Sequence, residues 1–207
     1  MNLQEVLNSG DLYQVGKWTD EHYFEYLQQM EEYNAAGYTA EGQAKKAAIL
    51  RRLFAEVGEN AYIQAPYYAM WGGRHVHLGK NVYINFNCTL VDDAEIYIGD
   101  GTMIAPNVTI VTASHPLSPD LRAQGYGYNS PVWIGKNVWI ASNVTILPGV
   151  HIGDNAVIAA GSVVTHDLPA GIFALGTPAR MVREIGPEDE VFYRHGMRVE
   201  DHLVPAP

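Results

Sequence analysis

The sequence predicts a mainly β fold, a parallel β-helix of six-residue repeats, with a helical hairpin before it and a short extension after it. Three observations carry this. An aliphatic residue recurs every six positions: Leu78, Ile84, Leu90 and Ile96, then Ile98, Ile104 and Ile110, then Ile134, Ile140, Ile146, Ile152, Ile158 and Val164. A small residue follows it at Gly79, Gly99, Gly135 and Gly153 and at Ala105, Ala141 and Ala159. Four positions after the aliphatic residue comes a second inward candidate, as at Val82, Cys88, Ala94, Thr102, Val108, Val138, Val144, Val150, Ala156 and Ser162. Six is neither a helical period nor a simple strand period. One large and one small inward side chain per unit gives one flat face per unit, three units to a triangular coil. The phases place coils at 78–95, 98–115, 134–151 and 152–169, with a two-residue insertion at the corner between Ile96 and Ile98.

In chain order, residues 1–58 read as helical. Thr19, with Asp20 and Glu21 after it, suits a helix start. Tyr23, Tyr26, Leu27, Met30 and Tyr33 then form one apolar stripe. Asn34 to Tyr38 reads as a turn. A second helix is predicted from Thr39 to Val57, with Ala44, Ala47, Ala48, Leu50, Leu53, Phe54 and Val57 inward. Lys45, Lys46, Arg51 and Arg52 form its solvated face, and Gly58 its C-cap. The repeat domain follows at 59–185, and a tail at 186–207 carries a brief helix from Pro187 to His195. Within the repeat domain, 113–131 breaks the period with three Pro, two Gly and three Ser, and reads as a loop. Long loops inside compact repeats are often functional. His115 stands where the period stops.

Composition excludes several classes. The 207 residues hold 47% hydrophobic residues, ordinary for a folded domain. A net charge of -10 argues against nonspecific binding to nucleic acid or an anionic membrane. The single cysteine, Cys88, permits no intrachain disulfide. It falls on a small inward position and reads as a buried structural thiol. The N-terminus lacks the basic and apolar runs of a signal peptide, and no apolar run approaches a membrane span. The expectation is a soluble, cytoplasmic protein. His75 and His77 share a strand face, but no third ligand stands at a suitable spacing, so no metal is expected.

The hexads combine with NFNCTLVDD (85–93), APNVTIVTASHP (105–116), VWIASNVTILPGV (138–150), AAGSVVTHDLP (159–169) and GTPARMVREI (176–185). Together they resemble the maltose, galactoside and nodulation-type O-acetyltransferases of the hexapeptide-repeat acyltransferase superfamily. The resemblance covers about Val57 to Ile185. It implies a left-handed coil, a homotrimer with acetyl-CoA held between subunits, and a loop at 113–131 that reaches a neighbour. It implies acetyl transfer to a hydroxyl of a sugar or similar small acceptor, with no metal. The family's catalytic histidine falls on His115, where a neutral imidazole can accept the hydroxyl proton. The N–H of Ser142 falls where the developing oxyanion needs a donor. Substrate contacts fall on Asn85 and Asp93. Acetyl-CoA contacts fall on Trp139, Ser142, Ala160 and Thr165, with Arg180 and Arg183 suited to its phosphates.

Other roles suit the same residues. Asp92, Asp93 and Asn85 also fit corner positions, Trp139 an interface, and Arg180 and Arg183 pairing with Glu184 or the tail acids. A zinc-dependent carbonic-anhydrase class shares the scaffold, but where it places a histidine five residues after the first, this chain has Asp120. An amine acceptor and a non-catalytic scaffold are further alternatives. The chain also departs from the family. Gln14 and Val15 follow GDLY (10–13) where an acid belongs, and Lys17–Phe24 holds no arginine. YYAMWGGRH (67–75) replaces the usual approach to the first coil. Met70, Trp71 and Arg74 then predict a more aromatic, less acidic acceptor site and a less polar or non-maltose acceptor.

Overall fold

Three parallel sheets wrap one dry column. The computed structural model describes residues 2–194 and 196–204. The first face stacks Glu56–Val57, Val76–Leu78, Ile96–Ile98, Val132–Ile134 and His151–Ile152. The second stacks Tyr62–Ile63, Tyr83–Ile84, Met103–Ile104, Trp139–Ile140, Val157–Ile158 and Ile172–Gly176, and Ala179–Glu184 closes it antiparallel. The third stacks Tyr67–Ala69, Cys88–Val91, Thr109–Val111, Thr145–Ile146 and Val163–Val164. The predicted aliphatic residues from Leu78 to Val164 are buried, and so are the smaller residues four positions on. Each buried aliphatic side chain contributes roughly 1.5–3 kcal/mol, so the column dominates stability. The polar members are satisfied: Thr102 Oγ1 donates to Gly135 O, and Ser162 Oγ to Ala159 O.

Coiling starts earlier than expected. The second helix, α3 (Ala40–Leu53), follows α1 (Leu3–Asn8) and α2 (Tyr23–Ala35), and it stops four residues short of Val57. Glu56–Val57 instead pairs in parallel with His77–Leu78. Gly58 caps no helix. A β-carbon on it would lie 2.4 Å from the Gly79 carbonyl carbon of the next coil. The repeat thus runs back through Val57, Ile63 and Ala69, a coil whose signal Ala65, Tyr67 and the glycines at 72 and 73 obscure.

The helical hairpin departs from expectation at two further points. Thr19 does not open α2. That helix begins at Tyr23, and Asp20 Oδ1 accepts the His22 N–H at 2.8 Å. Lys46 is not on a solvated face. It is 1% exposed, with Nζ 4.1 Å from the centre of the Tyr38 ring and no hydrogen-bond partner among the described residues. The inward stripe of α3 is Gly42, Lys46, Ile49, Leu50 and Leu53, while Ala44 and Ala48 are exposed. Alanine is too small to announce its own side of a helix, and a lysine stem buries readily along aromatic rings.

The 113–131 segment has structure of its own. Ala113–Ser114 pairs antiparallel with Tyr126–Asn129, and a short helix, Pro119–Ala123, lies between them. The far edge of Tyr126–Asn129 pairs with Tyr13–Gln14. The N-terminal region, expected to be a helical hairpin, therefore also supplies a strand. In the tail, the helix spans only Glu188–Val191 and a small hairpin follows. His195, its expected end, lies outside the described residues.

Candidate active site

His115 follows Ala113–Ser114 directly, and the facing strand fixes its ring. Nδ1 lies 2.9 Å from the carbonyl oxygen of Tyr126. A carbonyl only accepts, so in the neutral ring Nδ1 carries the proton and Nε2 keeps a free lone pair. The ring is exposed. Gly127 makes room for the N-terminal segment rather than for the ring: a β-carbon there would come 2.9 Å from Val15 Cγ2 but only into ordinary contact, 3.5 Å, with His115 Cε1.

Two carboxylates lie one coil below, at the same corner between the third and first faces. Asp92 is fully buried. Its oxygens accept N–H bonds from Trp71 at 2.8 Å, Gly73 at 3.1 Å and His75 at 3.4 Å. Burial pushes its pKa up to about 6 against the pull of those donors and the nearby His75. Asp92 is the cradle of the 70–75 turn. Asp93 is less fully satisfied. Its Oδ1 accepts from the Trp71 indole at 3.4 Å, and its buried Oδ2 has no partner among the described residues. Burial raises Asp93 above the usual carboxylate range, while the Trp71 hydrogen bond and the neighbouring His75 pull it down. Met70 is 48% exposed beside this corner, and Tyr23 Oη donates to its sulfur at 3.8 Å. Trp71 itself is only 8% exposed.

The remaining expected residues divide by location. Thr165 shares the corner of His115, and its hydroxyl lies 2.7 Å from His166 Nδ1. Asn85, Ser142 and Ala160 stand on a different corner, between the second and third faces, and Trp139 on the second face. Asn85 Oδ1 accepts the Phe86 N–H. The N–H groups flanking Ser142 are committed, Ala141 to Ile158 O and Asn143 to Pro106 O. The N–H groups of Ser142 and Ala160 have no hydrogen-bond partner among the described residues. Arg183 is held by Asp189 through two contacts at 2.6 and 2.8 Å, and it holds Asp189 down to about 2. Arg180 is exposed, and among the described residues its guanidinium donates to Ala179 O alone. Within one chain, the width of the third face separates the His115–Asp93 corner from the Asn85–Ser142 corner.

Residues 131–166 match the family model for the bacterial transferase hexapeptide (six repeats). The chain is 46% identical over 171 residues to a galactoside O-acetyltransferase of Lactococcus lactis, covering 83% of this chain and 82% of that one. The chain belongs to the hexapeptide-repeat O-acetyltransferase family. Among solved structures, a galactoside acetyltransferase in complex with coenzyme A aligns with a TM-score of 0.87 at 41% identity, over 96% of this chain and 98% of that one. A maltose O-acetyltransferase from Clostridium difficile aligns with a TM-score of 0.83 at 38% identity, over 90% and 98%. The coil is accordingly the left-handed parallel β-helix of these O-acetyltransferases.

Three features of this family member had no signal in its motifs. Tyr126 acts through its main chain and stands eleven residues from His115, across a hairpin. Tyr13 and Tyr23 reach the Asp93 corner only because the N-terminal segment folds back onto it. His75 and His77 are each engaged, His75 Nδ1 with Asp92 O at 2.7 Å and His77 Nε2 with Glu95 at 2.8 Å. Among the described residues no three His, Cys, Asp or Glu side chains converge on a metal position. No helix there is long and apolar enough to cross a membrane.

Proposed function

We propose that this chain moves acetyl from acetyl-CoA to a hydroxyl of a sugar or related small acceptor, with His115 as general base. The observation that carries this is the His115–Tyr126 hydrogen bond, which in the neutral ring puts the proton on Nδ1 and leaves the Nε2 lone pair free on an exposed residue. Nε2 takes the hydroxyl proton as the acceptor oxygen attacks the thioester carbonyl. The free N–H of Ser142 suits the negative charge that develops on the carbonyl oxygen. The imidazolium then returns its proton to the departing sulfur, so no base is consumed. Acetyl-CoA supplies an activated acyl group, and no covalent enzyme intermediate is needed.

The separation of the two corners supports a site completed by a second copy of the chain. One copy offers His115, Asp93 and Thr165. The other offers Asn85, Trp139, Ser142 and Ala160, with Arg180 and Arg183 toward the phosphates. An apolar ladder on the outer side of the second face fits such packing. It runs in register through Tyr62, Tyr83, Met103, Trp139, Val157 and Phe173, and Met103 and Trp139 are each 50% exposed. A homotrimer closes this head-to-tail contact, and light scattering of the purified protein tests it.

The acceptor is a less polar or non-maltose one, in keeping with exposed Met70 and the tyrosines beside Asp93. Efficient maltose or galactoside acetylation would overturn that part alone. The base is tested by CoA release with a panel of hydroxyl acceptors, comparing His115→Ala with wild type. Loss of general-base help lowers kcat by about 10²–10⁴-fold, and wild-type turnover in the variant would refute the mechanism.

A further inference from the structure

Trp71 sits where sequence comparison suggests an acceptor contact, yet it is 8% exposed and belongs to a buried cluster with Val6, Leu7 and Tyr13. Its ring packs edge-on against Tyr23 of α2 at 5.0 Å and tilted against His75 at 5.4 Å. The residue engages both neighbouring acids. Its backbone N–H binds Asp92 at 2.8 Å, and its indole N–H reaches Asp93 Oδ1 at 3.4 Å. The other Asp93 oxygen is buried and has no partner among the described residues. A carboxylate oxygen left dry and unpaired costs stability unless something supplies a donor to it. Among the described residues nothing does.

We infer that Trp71 is a positioning residue, whose indole N–H pins one oxygen of Asp93 so that the other stays free to take a hydrogen bond from the acceptor hydroxyl. The inference rests on the O-acetyltransferase reading of this corner. It explains why a bulky indole is compatible with an acceptor site: the ring acts from behind the carboxylate. Because the Trp71 cluster includes Val6, Leu7 and Tyr13, acceptor alignment also depends on the N-terminal segment that braces the indole. The groups facing Asp93 are Tyr13 from the N-terminal strand, Tyr23 from α2, His75 from the 70–75 turn, Asp92 beside it and His115 one coil on.

The test is Trp71→Phe, which keeps an aromatic ring and removes the donor. The acceptor KM is expected to rise roughly tenfold, the size of one lost hydrogen bond to a charged group. The KM for acetyl-CoA should stay unchanged. The acid limb of kcat/KM should move to higher pH, because a donor that lowers the Asp93 pKa is gone. In an Asp93→Asn background the same substitution should change acceptor KM less than about twofold. A fall in melting temperature with acceptor KM and acid limb unmoved would make Trp71 merely structural and overturn the inference. So would an equal loss in both backgrounds. If the Phe variant does not fold, Tyr23→Leu, which unsettles the indole, faces the same comparison in both backgrounds. Carbon NMR of the Asp93 carboxyl separates this idea from the activity reading. An Asp93 titration unmoved by Trp71→Phe sinks the positioning role, whereas wild type that releases no CoA with any hydroxyl acceptor sinks the reading beneath it.

Discussion

Gly99→Ala should loosen the coil that carries His115, and its cost can be worked from the stacking. A β-carbon at Gly99 would lie 2.6 Å from the Gly135 carbonyl carbon, 2.7 Å from Gly135 O and 2.7 Å from Lys136 N. All three are backbone atoms of the next coil, so no rotamer relieves the contact. Reaching ordinary separation means opening this corner by about 0.8 Å. The bonds Gly99 N–H to Ile134 O and Asn137 N–H to Asp100 O span the same gap at 2.8 Å each. Stretched by that amount they pass about 3.6 Å and cease to be hydrogen bonds. Two such losses cost about 2–3 kcal/mol, against about 0.5–1 kcal/mol regained from the stiffer unfolded chain. The net, about 2 kcal/mol, lowers the melting temperature by roughly 4–8 °C in a chain of this size. Thermal unfolding followed by circular dichroism measures it, with Gly16→Ala, where a β-carbon meets nothing within 4 Å, as control. Identical melting of Gly99→Ala and wild type would show that glycine does not set the coil spacing at this corner.

Two further outcomes follow from the geometry. Glu95 is 6% exposed and accepts from Gln4 at 2.8 Å and His77 at 2.8 Å. Burial alone would raise its pKa, but the His77 and Gln4 hydrogen bonds outweigh it and hold it below the usual 4.5. Its contribution is therefore present above about pH 4.5 and lost as pH falls through the lower folded value. Glu95→Gln should cost about 1–2 kcal/mol at pH 7 and flatten the acid side of a stability–pH curve; equal stability of the two proteins at pH 7 would contradict this. At the other end, Arg180→Ala should raise acetyl-CoA KM roughly tenfold, as expected for one charge-assisted phosphate contact. Arg183→Ala should do less, because Asp189 already occupies that guanidinium. The reverse order in steady-state kinetics would show that the Arg183–Asp189 pair opens for the phosphates.

The sequence by itself determined the coil. Ile104, Ile110 and Ile140 must face inward because a six-residue period admits no helix, and each is buried to within 1%. It also marked His115, because the period stops there. It was silent where identity and spacing carry no trace of a contact. Lys46 is buried by two tyrosine rings that only the hairpin turn brings near it. Val57 joins the first coil rather than α3, because Gly58 must stack against Gly79. The state of His115 was decided furthest from any motif. A main-chain carbonyl at Tyr126 selects its tautomer, and Tyr126 is braced by Gln14, more than a hundred residues earlier in the chain. Local chemistry fixes which side chains want to be buried and which can take a proton. Tertiary structure decides which backbone oxygen stands beside the imidazole, because a peptide carbonyl is present at every residue and no sequence distinguishes one from another.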